Sequence, residues 1–547
     1  MASARTWIEV TTVGDLVDRA AAASDGDAVV FPRERITYPQ LAAATERWAR
    51  NLLGLGVRAG EKVGILMPNC LDFAVALVAI AKLGAVAVPI NGRYKTSELR
   101  GVIAHADIVV LLTAAGPVAS TDYPAMLAEV LADGDAAPLL RTVVDLGGTS
   151  PGTIDRAAFE AAGEAVPAAD VALLQERVRV RDPALLMYTS GTTALPKGCV
   201  LSHEAVVRHA GNVARSRFSL GPEDRYWDPL PLFHIGGIVP MLSCFSARCA
   251  YVHSGHFDAD VALAQLERER CTVAYPAFET IWLGILNHAR LAAADLSALR
   301  LVQNIATPER LIYMQEKMPD AVEVCSYGAT ECSSNLTLTG PEDSYETRMH
   351  TLGRALPGIE LKIVDPESRA ELPAGTVGEL AFRGYSRFDR YYKEPELTAS
   401  VTDAEGWFYS GDLAAVDADG YLTYAGRLKD MLKVGGENVS AIEVEDFICG
   451  HPAVDIAQVV AAPDARYGEV PAVFIQPKPG AAVVEREIVE FCRGQIAGFK
   501  VPRYVRRVDE WPMSGTKIQK FVLRERIAAE LAAAGITDAP RLSSTPG

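Results

Sequence analysis

The chain has 547 residues, 49% of them apolar and 22% charged, with a net charge of -16. At roughly 150 residues per domain this length allows two to four domains, and the composition supports a globular core of good size. The acidic balance excludes a general binder of nucleic acid or anionic membrane, while leaving room for a local basic pocket. Nine cysteines run from Cys70 to Cys492 without a CxxC pair, which predicts reduced thiols and a cytoplasmic protein. "MASARTWIEV" has no signal-peptide run, and "SSTPG" carries no lipidation signal. The apolar stretch Phe73 to Ala81 falls well short of the ~20 residues that span a bilayer. It predicts a buried helix, not an integral membrane segment.

In chain order, Leu41, Ala44, Trp48 and Leu52 share one helical face, and Gly54 and Gly56 end that helix. "KVGILM" from Lys62 predicts a buried strand, Phe73 to Leu83 a helix and "AVAVPI" a further strand. Strand–helix–strand at this spacing implies parallel α/β layers. Ala- and Gly-rich segments at 114–122 and 146–170 predict surface loops. "ALLMYTS" and "KGCVLS" then predict two strands, after which Ser202 caps a helix carrying Val206 and Val207. From Ile359 the texture changes to short strands, "IELKIVD", "GELAFRG" and "YLTYAGR", with turns at "DADG" and "KVGGEN". Beyond residue 438 short helices and strands alternate in "AIEVEDFICG", "PAVFIQP" and "EREIVEFCRGQI". The expected fold class is α/β: a large N-terminal domain of sheets and helices with a β-rich subdomain, plus a small α+β C-terminal domain. The boundary falls near residue 430.

The segment "YTSGTTALPKG", Tyr188 to Gly198, joins the two central strands. Its order is strand–loop–strand–helix, whereas a Walker P-loop runs directly into a helix and follows its lysine with Ser or Thr. Here Gly198 follows Lys197, and Pro196 with Gly198 would break a helix starting at that point. The loop offers the hydroxyls of Thr189, Ser190, Thr192 and Thr193, backbone N–H groups near Gly191, and the Lys197 ammonium. Donors at this density suit a polyphosphate; a plain polar turn accounts for one or two of them and poorly for the whole run.

With these features the sequence resembles the acyl- and aryl-CoA synthetases of the adenylate-forming superfamily. The resemblance is carried in order by "ITYPQL", "AKLGAVAVPIN", "YTSGTTALPKG", "PLFHIGG", "SYGATE", "GELAFRG", "YSGDL", "GRLKDMLKVGGENVS" and "PMSGTKIQK". It implies an AMP-binding domain over 1–428 and a mobile domain over 429–547, with the hinge at Lys429. It also implies a chemistry: a carboxylic acid is joined to AMP with loss of pyrophosphate, and a thiol then attacks the carbonyl. ATP, Mg2+ and coenzyme A would be needed, and the site must supply positive charge where charge develops. The acceptor thiol would be CoA or, as the alternative, a carrier protein; a non-catalytic nucleotide-binding module is the rival outside enzymes. The oligomeric state stays open, a dimer included.

By the same resemblance the 188–198 loop would hold the β- and γ-phosphates, and Glu331 would help hold Mg2+. Thr330 would meet the α-phosphate, Asp412 the ribose hydroxyls, and Arg427 the nucleotide. Lys517 would bridge the acid and the α-phosphate, its compact charge delivered by the moving domain. Gly435 and Gly436 would line the pantetheine tunnel, where close backbone approach is required. His234 would gate the acyl pocket, walled by Phe278, Ile305, Ala306, Tyr327, Gly328 and Ala329 with Asn335 nearby, a mostly apolar set that favours a hydrophobic acid. Taken singly each residue has an ordinary reading: a solvated carboxylate, a surface lysine, a capping histidine.

Three departures stand out. Ala194 replaces the usual loop glycine, which costs about 1 kcal/mol if that position needs φ > 0. "NIATPER" puts Ile305 and Ala306 where a small-residue turn is usual. "PMSGTKIQK" is one residue short before its lysine, which leaves Lys520 as the fallback to Lys517. The basic run "FKVPRYVRR" could meet CoA phosphates or simply form a solvated face.

Overall fold

The computed structural model describes residues 10–114, 122–132, 137–189, 196–435, 437–481, 483–514 and 517–540, with the side chains of Asn438, Ser514 and Lys517 outside that set. Strand–helix alternation in the first half builds two sheets. One has eight strands, in which Lys62–Leu66, Val86–Pro89, Ile108–Thr113, Thr142–Asp145 and Pro183–Thr189 run parallel. Antiparallel Lys197–Ser202 and Arg390–Tyr391 extend one edge of it. Parallel strands need crossover connections and are buried on both faces, which is why they read as unbroken apolar runs. The predicted helix is Leu71–Lys82, and every residue from Phe73 to Lys82 is buried. Lys82 at its end is tied to Asp18 at 2.6 Å. Among the described residues no helix is long and apolar enough to cross a membrane.

The second sheet has nine strands, with a parallel centre of Asp27–Val30, Ala250–Val252, Arg225–Trp227, Val273–Phe278, Leu301–Ile305 and Val322–Ala329. Antiparallel Ser334–Leu338 and Arg354–Ala355 close one edge. On one face of this sheet Trp227, Ala274, Val302 and Cys325 pack against Trp282, Ile285, Leu311 and Met314 from helices Glu279–Leu286 and Pro308–Lys317. The pleat sends alternate residues to the other face, so the register that buries Val302 turns Gln303 away from it.

One expectation fails. Residues 146–170 are not a surface loop but contain strand Ile154–Asp155, helix Arg156–Ala162 and the start of helix Ala168–Gln175. Alanine is the best helix former, and Asp155 caps this helix by accepting the Ala158 N–H at 2.8 Å. Phe159 is fully buried, edge-on to Trp48 at 5.2 Å. That long-range contact is invisible in an alanine-rich string. The other predicted loop, 114–122, lies largely outside the described residues.

Packing divides the chain into two units, Met1–Leu361 with Phe382–Phe408 and Gly420–Leu422, and Lys362–Ala381 with Tyr409–Asp419 and Thr423–Gly547. The second unit includes an antiparallel sheet of Leu432–Val434, Glu437–Val439, Val454–Asp464 and Gly468–Pro477, with Tyr504–Arg507 added in parallel. Helices Ala441–Cys449, Glu485–Cys492 and Lys520–Ala533 belong with it. The result is the mixed α/β fold read from the sequence, with a large N-terminal part of sheets and helices and a small C-terminal domain. No cysteine of the nine is paired in a disulfide.

Candidate active site

The phosphate-loop segment is held by a hairpin. Pro183–Thr189 pairs antiparallel with Lys197–Ser202, with Tyr188 opposite Gly198 and Thr189 opposite Lys197. Ser190, Gly191, Thr192, Thr193 and Ala194 lie outside the described residues, but both ends of their loop are pinned by this ladder. Gly198 is closely packed: a Cβ there would stand 2.9 Å from Leu186 Cδ1 and 3.3 Å from the Tyr188 ring, so those side chains would have to shift. The Tyr188 hydroxyl lies 2.8 Å from His105 Nδ1. Ser202 caps helix His203–Ser216 by accepting the Ala205 N–H. The local order is therefore strand–loop–strand–helix.

In the nine-stranded sheet, Val322–Ala329 runs into a single 3-10 turn, Thr330–Cys332, followed by Ser333 in the left-handed region. Glu331 is fixed twice: its carbonyl accepts the Phe388 N–H at 2.8 Å, and its Oε1 accepts the Tyr391 hydroxyl at 2.9 Å. Tyr391 pairs with Cys199 in the other sheet, and Lys197 Nζ lies 5.3 Å from the centre of its ring. Thus Thr189, Lys197, Thr330 and Glu331 converge where the two sheets meet. Burial first and the Glu331 charge second push the Tyr391 phenol far above its usual range, so it stays a donor. The same two causes raise the Cys199 thiol, which stays uncharged. Sequence reasoning missed Tyr391; its only local mark is the "YYKEPEL" pair of tyrosines ahead of a helix.

The expected acid-pocket residues end parallel strands. Phe278, Ile305 and Ala329 are the last residues of Val273–Phe278, Leu301–Ile305 and Val322–Ala329. In open α/β sheets ligands bind at such carboxyl ends. Ile305 is 39% exposed there, Ala306 and Phe278 are partly buried and Tyr327 is buried. Gly328 is exposed, and a Cβ on it would fall 1.9 Å from the Ser334 carbonyl. His234 is also exposed, and it caps helix Ile235–Ala247, with Nδ1 accepting the Gly236 N–H at 3.0 Å. Asn335 is buried, accepting from Tyr275 at 3.1 Å and donating to Ser326 at 2.9 Å.

The remaining expected residues belong to the second unit. Arg427 Nε lies 3.4 Å from Asp412 Oδ1. Asp412 follows Gly411 in the left-handed region, whose N–H is held by buried Glu379 at 2.9 Å. Burial chiefly, and the Asp412 charge lastly, hold the Glu379 carboxyl above its usual range. Lys429 is exposed on the 3-10 turn Leu428–Asp430, and its carbonyl accepts from Arg524 at 3.2 Å. Gly435 has φ 59° and donates its N–H to the Tyr467 carbonyl; Gly436 lies outside the described residues. The backbone of Lys517 pairs with Ser514 in a small hairpin. Lys520 is differently placed: its Nζ is 2.6 Å from Glu445, and both side chains are largely buried. Much of the basic run 499–507 is also paired, Lys500 with Glu443, Arg506 with Glu530 and Arg507 with Asp509.

Comparison with known proteins accords with this geometry. Residues 16–392 match the AMP-binding enzyme family, and residues 443–517 match the AMP-binding enzyme C-terminal domain. The chain is 36% identical over 538 residues to YngI of Bacillus subtilis (strain 168), whose assigned name is that of an acyl-CoA synthetase, covering 94% of this chain and 97% of that one. It is 32% identical over 544 residues to the mitochondrial medium-chain acyl-CoA ligase ACSF2 of Rattus norvegicus, covering 95% and 88%. A crystal structure of the anthranilate CoA ligase AuaEII in complex with anthranoyl-AMP superposes with a TM-score of 0.83 at 29% identity, covering 96% and 99%. The chain belongs to the AMP-binding enzymes, and it is an ATP-dependent, acyl-adenylate-forming acid–thiol ligase.

Proposed function

We propose that this ligase activates a hydrophobic carboxylic acid as acyl-AMP and then passes the acyl group to the thiol of CoA. The observation that carries the reading is the convergence of Lys197 and Glu331 through Tyr391, at 5.3 and 2.9 Å, beside a hairpin-held loop. A cation, hydroxyls and a carboxylate within one small region suit a metal-bound triphosphate better than any neutral ligand.

In the first step a carboxylate oxygen of the acid attacks the α-phosphorus, and the bond to pyrophosphate breaks. Lys197 and the 188–198 loop hold the β- and γ-phosphates that depart, and Thr330 orients the α-phosphate. Lys517 neutralises the two anions that must meet. Asp412 accepts the ribose hydroxyls beside Arg427. In the second step the CoA thiol attacks the acyl carbonyl and AMP leaves, with Lys429 as the hinge that withdraws Lys517 and brings Gly435 and Gly436 to the pantetheine. Glu331 fits Mg2+: it is an oxygen donor oriented by Tyr391, as a hard cation requires. Bound there, the ion would neutralise charge on the phosphates.

The experiment is acid-dependent pyrophosphate release with CoA, run on wild type, Lys517→Ala and Lys520→Ala. Lys517→Ala should lower the rate by at least about 100-fold with the fold intact, because positive charge at the α-phosphate is lost. Lys520→Ala should instead lower thermal stability, since it strands the buried Glu445 carboxylate. Burial already holds that carboxyl above its usual range, with Lys520 opposing the shift. If Lys520→Ala alone abolishes adenylation without unfolding, the assignment of Lys517 is wrong. If no acid in a broad panel reacts unless a carrier protein replaces CoA, the CoA reading is wrong.

A further inference from the structure

The face of the nine-stranded sheet opposite its apolar core carries a row of polar side chains among buried Val273, Leu301 and Val324. Register places Tyr226 level with Val273, Leu301 level with both Val273 and Val322, and Gln303 level with Val324. By alternation Tyr226, Tyr275, Gln303 and Ser326 therefore share this face. Ser326 accepts from Gln303 Nε2 at 2.8 Å and from Asn335 Nδ2 at 2.9 Å, and Asn335 Oδ1 accepts from Tyr275. Tyr226 stacks on Tyr275 with ring centres 6.0 Å apart. His209, on helix His203–Ser216, reaches the row through a hydrogen bond to the Asn335 backbone, which favours its protonated form. Burial dominates and pulls the imidazole down to about 3, so it is neutral.

Three side chains of this group carry an atom without a hydrogen-bond partner among the described residues: the second ring nitrogen of His209, the Tyr226 hydroxyl and Gln303 Oε1. All three side chains are fully buried. A buried polar atom left unpaired is costly, so several of them along one connected row call for an occupant. The place fits an acid's far end. Gln303 lies two residues before Ile305 and Ser326 two before Gly328, so each lies on the same face just beneath the exposed carboxyl edge. The row offers a donor from Tyr226 and acceptors from Gln303 and from the remaining nitrogen of neutral His209. It offers no charge of its own.

We propose that His209, Tyr226 and Gln303 form the distal end of the acid site and select acids that carry a hydroxyl on an otherwise apolar body. This rests on the activity proposed above and names its substrate class. A hydroxyl both donates and accepts, which matches the neutral row, whereas a second carboxylate would be buried without a counter-charge.

The test uses matched pairs of acids, phenylpropionate against p-hydroxyphenylpropionate and octanoate against ω-hydroxyoctanoate, in the pyrophosphate-release assay on the full chain. In at least one pair wild type should prefer the hydroxylated member by about tenfold or more in kcat/KM. His209→Leu should bring that ratio to about one or below. Tyr226→Phe, the more conservative change, should lower it in the same direction should the histidine variant fold poorly. Equal or better use of the plain acid in both pairs, or a ratio that Tyr226→Phe and a folded His209→Leu leave unmoved, overturns the proposal and assigns the row to bound water. If no acid of either pair releases pyrophosphate, the hydrophobic-acid reading falls as well, a result distinct from the other two.

Discussion

Strands Val273–Phe278, Leu301–Ile305 and Val322–Ala329 carry different chemistry on their two faces. One packs Ala274, Val302 and Cys325 into an apolar cluster sealed by two helices. The other presents Tyr275, Gln303 and Ser326 to His209 and Asn335. The apolar side does leave Trp282 Nε1 and Asn304 Oδ1 unpaired, but Asn304 is already held by its bond to Glu323 at 2.7 Å. The difference teaches where this sheet derives its stability and where it gives some up. Apolar burial stabilises by roughly 25 cal/mol per Å², whereas unpaired polar atoms subtract from the total. Regions that break the packing rule are the ones to suspect of function.

The comparison can be tested by substitutions on each face. The largest effect expected is from Ile285→Ala on the apolar side, which should destabilise by about 2–5 kcal/mol in a denaturant titration, with acid preference unchanged at a temperature where the variant is folded. A loss near zero would mean that the cluster is not the load-carrying side. Next is Glu323, the acid among the strand residues on the apolar side. Burial lifts its carboxyl to about 8, against a weaker opposing bond from Asn304. Its folded value lies above its unfolded value, so its contribution is full below about pH 4.5 and is lost as pH rises towards 8. Glu323→Gln should remove that slope, on the order of 1–3 kcal/mol between pH 5 and pH 8 in thermal melts; an unchanged slope would show the group to be ionised throughout. The smallest effect belongs to the polar side, where Tyr226→Phe should change stability by less than about 1 kcal/mol or raise it, because it removes a hydroxyl that has no partner among the described residues. A loss above 2 kcal/mol would show that hydroxyl to be paired within the fold.

Another contrast separates the two lysines of "GTKIQK". Motif order favours Lys517, with Lys520 as the fallback. Lys520 is held 2.6 Å from Glu445, a residue 75 positions earlier, and no local pattern announces that pair. Tyr391 and Glu331 are likewise 60 residues apart. The strand position Gly328 is the opposite case: its "YGATE" setting and the missing side chain mark it in one short string, and the Ser334 carbonyl supplies the reason.

What the sequence determined by itself was local or periodic. It set the helix face of Leu41, Ala44, Trp48 and Leu52, the Ser202 cap, the hairpin around the phosphate-loop segment and the alternation that implied parallel sheets. Those features depend on neighbours within a few positions, where spacing alone fixes which side chains and backbone groups can meet. Only the tertiary structure decided that 156–162 is a helix against Trp48, that Tyr391 joins Lys197 to Glu331, and that one face of a buried sheet carries a polar row. Strands covered on both sides show a nearly continuous pattern, so their two faces become distinct only when register and covering helices are set by contacts distant in the chain.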